Sequence, residues 1–137
     1  MGTATEDDID TWLKEIGMDS LERVNESNWN FKKDTGDSTL QINIMYAAAD
    51  PPTPPMIGVG CLFLDPPEKN QFQLYQRLLE LHTITHETKF CLVKNGAIML
   101  ITHRSAVDLD PSELKEMINT VAMIYDQFHD NCLSIVS

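Results

Sequence analysis

The side chains of this 137-residue chain that could do chemistry are four histidines, three cysteines and a surplus of carboxylates. His82 and His86 stand four apart, a spacing that puts two imidazoles on one helix face and could bind zinc, with Glu87 the nearest third ligand. The β-branched run Thr83-Ile84-Thr85 between them continues a helix poorly, so no metal is expected there. His103 and His129 have no partner in the sequence and are expected to be structural or solvent-facing. Asp108 and Asp110 could serve as an acid/base pair, but their place just before an apolar-periodic segment suits helix capping better.

Nucleophilic chemistry fares no better. Cys61, Cys91 and Cys132 are odd in number, widely spaced and set in apolar patterns, as buried free thiols are. There is no Gly-x-Ser-x-Gly elbow and no phosphate-cradling loop, and Gly58-Val59-Gly60 lies inside a strand pattern with no helix start behind it. The expectation is therefore a protein with no catalytic residues, no metal and no cofactor.

The elements that must position these residues follow from periodicity. Ile9, Trp12, Leu13 and Ile16 form a narrow helical stripe that stops at Gly17. A polar stretch follows, then a short strand around Trp29 and Phe31, and a turn cluster from Asp34 to Ser38. Leu40, Ile42, Ile44 and Tyr46 alternate with wetter residues, the pattern of a strand buried on one face. The stretch from Asp50 to Pro55 has prolines at four of six positions and must run outside the sheet as a stiff connection. Met56 to Leu64 is apolar on both faces, as for a central strand with close backbone approach at its glycines, and Pro66-Pro67 ends it.

The second helix, Glu68 to His82, carries Leu74, Leu78 and Leu81 toward one side of its apolar arc and Phe72, Tyr75 and Leu79 toward the other. That arc spans roughly 180°, whereas a helix resting on one sheet needs only about 100°. The surplus predicts a partner, most simply a second copy of the chain. Strands Thr88 to Lys94 and Ala97 to His103 flank Asn95-Gly96, a hairpin signal, and Asp110-Pro111-Ser112-Glu113 opens a last helix with a broad apolar face from Leu114 to Cys132. The fold class is thus α+β in one domain, 1–137: helix, three strands, helix, two strands, helix, with the helices packed on an antiparallel sheet.

Charge narrows the partners. With 21 acidic against 10 basic residues and a formal charge of −11, the chain repels phosphate backbones and anionic lipid, so neither nucleic acid nor a membrane is expected. The acids concentrate at the ends: ten against four bases in residues 1–37, five against four in 38–103, and six against two in 104–137. Met1 precedes an acidic rather than a basic stretch and the longest apolar run is too short to span a bilayer, which points to the cytoplasm.

The element order, together with Leu78-Leu79-Glu80-Leu81-His82, Lys89-Phe90-Cys91-Leu92, Asn95-Gly96 and Asp110-Pro111-Ser112-Glu113-Leu114, resembles the YbjN-like family of bacterial proteins, sometimes labelled sensory transduction regulators, and the type III secretion chaperone-like fold. The local match covers about the last 60 residues, the first half matching in element order only. Where family members usually carry Asn after the Leu-Glu-Leu run, this chain has His82, and its proline-rich loop is its own. The resemblance implies a dimeric, non-enzymatic protein that holds an extended client segment over apolar surfaces.

Two functional expectations follow. The first is an interaction module, a homodimer through Leu74, Leu78 and Leu81, with client contacts on the sheet edges or around Tyr46 and Trp29. The second is a small-ligand-binding or enzymatic domain of the cystatin-like or nuclear-transport-factor-like kind, whose pocket would be lined by His103, Tyr46 or acidic residues.

Overall fold

The computed structural model describes residues 2–36 and 38–137, so Asp37 of the Asp34 to Ser38 turn cluster lies outside the described residues, as does Met1. The elements run α1 (Glu6–Ile16), β1 (Asp19–Asn25), β2 (Asn28–Asp34), β3 (Thr39–Ala47), β4 (Met56–Leu64), α2 (Gln71–Leu81), β5 (Thr88–Leu92), β6 (Ile98–Ser105) and α3 (Pro111–Val136). The six strands form one antiparallel sheet in the order β1-β2-β3-β4-β6-β5. The α+β class expected from sequence holds, and so does the element order but for one extra strand, with β4 central. No helix among the described residues is long and apolar enough to cross a membrane.

One strand is additional. β1 replaces the polar stretch after α1, and no periodicity announces it because an outer strand that is exposed on nearly all its residues has no buried side to alternate. It is held by backbone pairing with β2 and by Arg23, whose guanidinium lies 5.2 Å over the Trp29 ring and reaches Asp7 and Asp10 of α1 at 3.3 and 3.8 Å.

The helices share one face of the sheet. α1 and α3 both start with a capping box: Thr5 with Asp8, and Asp110 with Glu113. The second confirms the capping role of Asp110, and its bonds to Ser112 and to the Glu113 N–H hold its carboxyl below the ordinary range. Leu114, Met117, Ile118, Val121, Ile124, Phe128 and Cys132 of α3 are all buried over Ile57, Val59, Cys61 and Phe63 of β4. α2 lies beside α3, tied by Arg77 Nε to Asn131 Oδ1 at 3.0 Å and by Asn70 Nδ2 to the Ile135 carbonyl at 2.8 Å. It begins at Gln71 rather than Glu68, because Asn70 sits in the left-handed region at φ 58°.

The second hairpin is built differently from the Asn-Gly turn its sequence suggests. β5 ends at Leu92, Gly96 alone takes a positive φ of 92°, and Val93 both accepts from the Gly96 N–H and donates to the Ala97 carbonyl. This is a three-residue loop closed by a left-handed glycine. The proline-rich connection lies outside the sheet as expected, its first part closed by Thr53 N–H to the Asp50 carbonyl at 3.0 Å.

The opposite sheet face carries no helix. There Gly58 and Gly60 of β4 leave room for their β6 neighbours: a Cβ on Gly60 would meet Ile101 Cγ2 at 2.9 Å and the Leu100 carbonyl oxygen at 3.0 Å, while one on Gly58 would crowd the His103 ring, at 3.1 Å, and meet the Met45 carbonyl oxygen at an ordinary 3.9 Å. A backbone oxygen cannot yield, whereas an exposed imidazole can turn aside. Gly60→Ala is therefore expected to destabilise the protein by about 1–2 kcal/mol and Gly58→Ala to stay within about 0.5 kcal/mol of wild type, read from urea midpoints at unchanged slope.

His103 on this face has its pKa lowered from 6.5 by partial burial, with the Lys89 ammonium acting in the same direction. The folded state therefore takes up this proton less readily than the unfolded chain. The contribution is neutral above pH 6.5, destabilising as pH falls from there, and level again below the folded pKa. An NMR titration of the imidazole should show a midpoint below 6.5, and His103→Gln should make the urea midpoint less sensitive to pH in that window.

Candidate functional site

The residues expected to face a partner are distributed otherwise than the sequence suggests. Leu74, Leu78 and Leu81 are buried in the chain's own core, because the side of α2 that bears them is the side turned to the sheet and α3. They are not available to a second copy. The other half of the arc is: Phe72 is 75% and Leu79 67% exposed, with Tyr75 half-buried beside them. Trp29 is also withdrawn from the surface, fully buried with its indole N–H donating to Asp10 Oδ1 at 3.0 Å. Tyr46 is half-buried, and its hydroxyl donates to the Ala4 carbonyl at 2.8 Å, pinning the segment before α1.

Next to the exposed side of α2 runs an apolar groove of about 190 Å³, between Tyr75, Leu78 and Leu79 on the helix and Phe90, Leu92 and Ile98 on the strands. β5 is the outermost strand on this side, so one row of its backbone groups has no strand partner. One of those groups, the Phe90 N–H, donates to His82 Nε2 at 3.0 Å, and the two rings stack at 5.6 Å and 15°. His82 thus accepts through its neutral imidazole and covers part of the strand edge. Exposed Leu92 and Ile84 continue the apolar surface past it.

The chemistry weighed from sequence is not assembled. His82 spends Nε2 on the Phe90 amide, and no cluster of three or more His, Cys, Asp or Glu is placed to hold a metal among the described residues. All three cysteines are free; burial pushes the Cys61 thiol up to about 12 and raises Cys132, with nearby Arg77 opposing the latter shift, so neither is a ready thiolate. His103 and Tyr46 cannot line one pocket, because the pairs Gly58–His103 and Ile57–Tyr46 put them on opposite faces of the sheet. A depression of about 570 Å³ between the start of α1 and the β1–β2 turn is polar, and its one basic group, Arg23, is already engaged by Asp7, Asp10 and the Glu26 carbonyl.

What sequence reasoning missed at this site is the His82–Phe90 bond. Eight residues and a turn separate the two, and only the path of the chain after α2 brings them together.

No protein-family model matches the chain, and no curated protein matches it. Solved structures do. The chain is similar to an uncharacterized protein from Methanothermobacter thermautotrophicus, with a TM-score of 0.68 and 15% identity over 98% of this chain and 100% of that one. It is similar to a chain of the heterodimeric ExoU–SpcU complex from the type III secretion system of Pseudomonas aeruginosa, with a TM-score of 0.56 and 14% identity over 94% and 98% of the two chains. It is also similar to a chain of the ExsC–ExsE complex, with a TM-score of 0.55 and 14% identity over 88% and 86%. At these identities the likeness establishes the fold: the chain has the type III secretion chaperone-like architecture.

Proposed function

We propose that this protein is a non-enzymatic, cytoplasmic interaction module of chaperone-like or regulatory type, related to the YbjN-like proteins, that self-associates and binds a protein client. The observation that carries this is the outer side of α2. Phe72 and Leu79 stand in solvent beside the apolar groove and the open edge of β5, where a single chain gains nothing from exposing them. Two of the similar folds were solved as complexes of two proteins, which supports binding as the use of this architecture.

Self-association through this side differs from the arrangement expected from sequence. A partner helix would meet Phe72, Tyr75 and Leu79, with Leu74, Leu78 and Leu81 fixing the helix from beneath. The central segment suits this, since its net charge of −1 gives two copies little to repel.

Light scattering on wild type at about 50 µM should give the mass of a dimer, and Leu79→Asp should return a folded monomer with unchanged circular dichroism, because a solvated charge in a dimer seam is costly and on a free surface is not. Leu78→Asp would instead unfold the chain, the side chain being 5% exposed. A wild-type monomer at that concentration sinks the proposal. In the same samples His82→Ala should speed hydrogen exchange of the Phe90 amide by about tenfold while leaving the β4–β6 amides unchanged, which reports the uncapped edge.

A further inference from the structure

α3 has 26 residues and β4 has nine, so the helix is about 39 Å long over a strand of about 30 Å. A second groove lies between the end of β4, the Pro66-Pro67 turn that follows it and the last turns of the helix. It is about 470 Å³, walled by leucines and prolines and floored by aromatic rings. Tyr125 and His129 stack at 4.5 Å and 13°, and Phe63 stands edge-on to both, at 5.8 and 5.7 Å. A further depression of about 290 Å³ adjoins the same two rings and is bordered by Asp126 and Asp130.

Charge decides what such a groove would accept. Asp65 and Glu68 border the larger depression and Asp126 and Asp130 the smaller; none of the four forms an ion pair with a lysine or arginine among the described residues, Asp130 instead setting one carboxylate oxygen 3.3 Å from His129 Nδ1. Four basic side chains elsewhere are engaged by acids: Lys14 by Asp10, Arg23 by Asp7 and Asp10, Arg77 by Glu80, and Arg104 by Glu87, Glu113 and Glu116. Stacked rings between carboxylates offer a π-face and fork acceptors together, the combination that a planar guanidinium fits and an anion or a plain apolar helix does not. The flanking apolar walls suit the neighbours of such a side chain in an extended peptide.

We infer that the groove at the end of α3 is a docking site for an arginine-bearing segment of a protein partner, the guanidinium lying against Tyr125 and His129 with Asp126 and Asp130 as its counter-charges. This rests on the reading of the chain as a protein-binding module but not on its self-association through α2.

The test is fluorescence anisotropy at about pH 8 with labelled hexa-arginine, hexa-lysine and hexa-glutamate peptides, with spermine as a small-cation competitor. Hexa-arginine should bind, hexa-lysine at least about threefold more weakly, and hexa-glutamate not at all. The double variant Asp126→Asn/Asp130→Asn should weaken hexa-arginine about tenfold, whereas Glu15→Gln/Glu22→Gln, which removes the same charge from the far side, should change it less than about twofold. Tyr125→Leu should abolish the preference for arginine over lysine. Equal losses in the two double variants would show attraction to overall charge alone, and spermine competing at the peptide's own affinity would show a small-cation site; either overturns the inference. Leu79→Asp should leave peptide binding intact, so failure of the dimer and failure of this groove are read separately.

Discussion

The contact between α3 and β4 is the constraint that orders this fold. β4 is apolar on both faces, so it must be covered on both, and the sheet can meet that demand only by giving it a central position. On one face the cover is α3, whose buried side chains each contribute about 2 kcal/mol on burial. On the other it is the near-absence of side chains at Gly58 and Gly60, into which Ile101 and His103 of β6 settle. β6 must then lie against β4, which pushes β5 to the outside although it comes first in the chain. The open edge of β5, the groove beside it and the overhang of α3 are consequences of that single arrangement.

How far the sequence shows this depends on whether a residue's environment is local. The capping box at Asp110, the alternation of β3 and the doubly apolar β4 are written in neighbouring residues and are found where expected, and the box at Thr5 and Asp8 is equally local though not expected. β1 left no signal because its residues are exposed and its pairing with β2 is irregular. The arc of α2 was visible at its full width, but which half the core would use depends on the tilt of the helix against α3, and that is set by contacts such as Arg77 with Asn131 from distant parts of the chain. Periodicity therefore does not tell the sheet-facing leucines from the open side of the helix, which carries Phe72 and Leu79. Trp29 misled for a related reason: a large aromatic in a polar stretch suggests a surface site, and only its bond to Asp10 shows that the indole is inside.

The two edges of the sheet are handled by different means, and the contrast bears on function. β1 carries Asp19, Glu22 and Arg23, takes a left-handed residue at Ser20 and has irregular register, all of which discourage a further strand. β5 is short and flanked by apolar surface, and a cover identified on its edge is the imidazole of His82 on the Phe90 amide. A side chain is a weaker barrier than a bulge, since it can rotate away and leave the backbone donor free. Of the two edges, β5 is the less protected against a further strand, and it lies beside the unburied half of α2.

Charge completes the argument. The acidic ends of the chain are not two uniform clouds, because folding brings Arg23 into the first and Arg104 into the second, and these two side chains absorb carboxylates of α1, of the β5 approach and of the start of α3. Ion pairs this exposed add little stability, so their main effect is on the distribution of field. The carboxylates at the far end of α3 are left without such a partner, and they stand exposed at the rim of the aromatic rings. Two exposed surfaces of different character result: a carboxylate-rimmed aromatic one at the end of α3, and the apolar side of α2 in the nearly neutral middle of the chain.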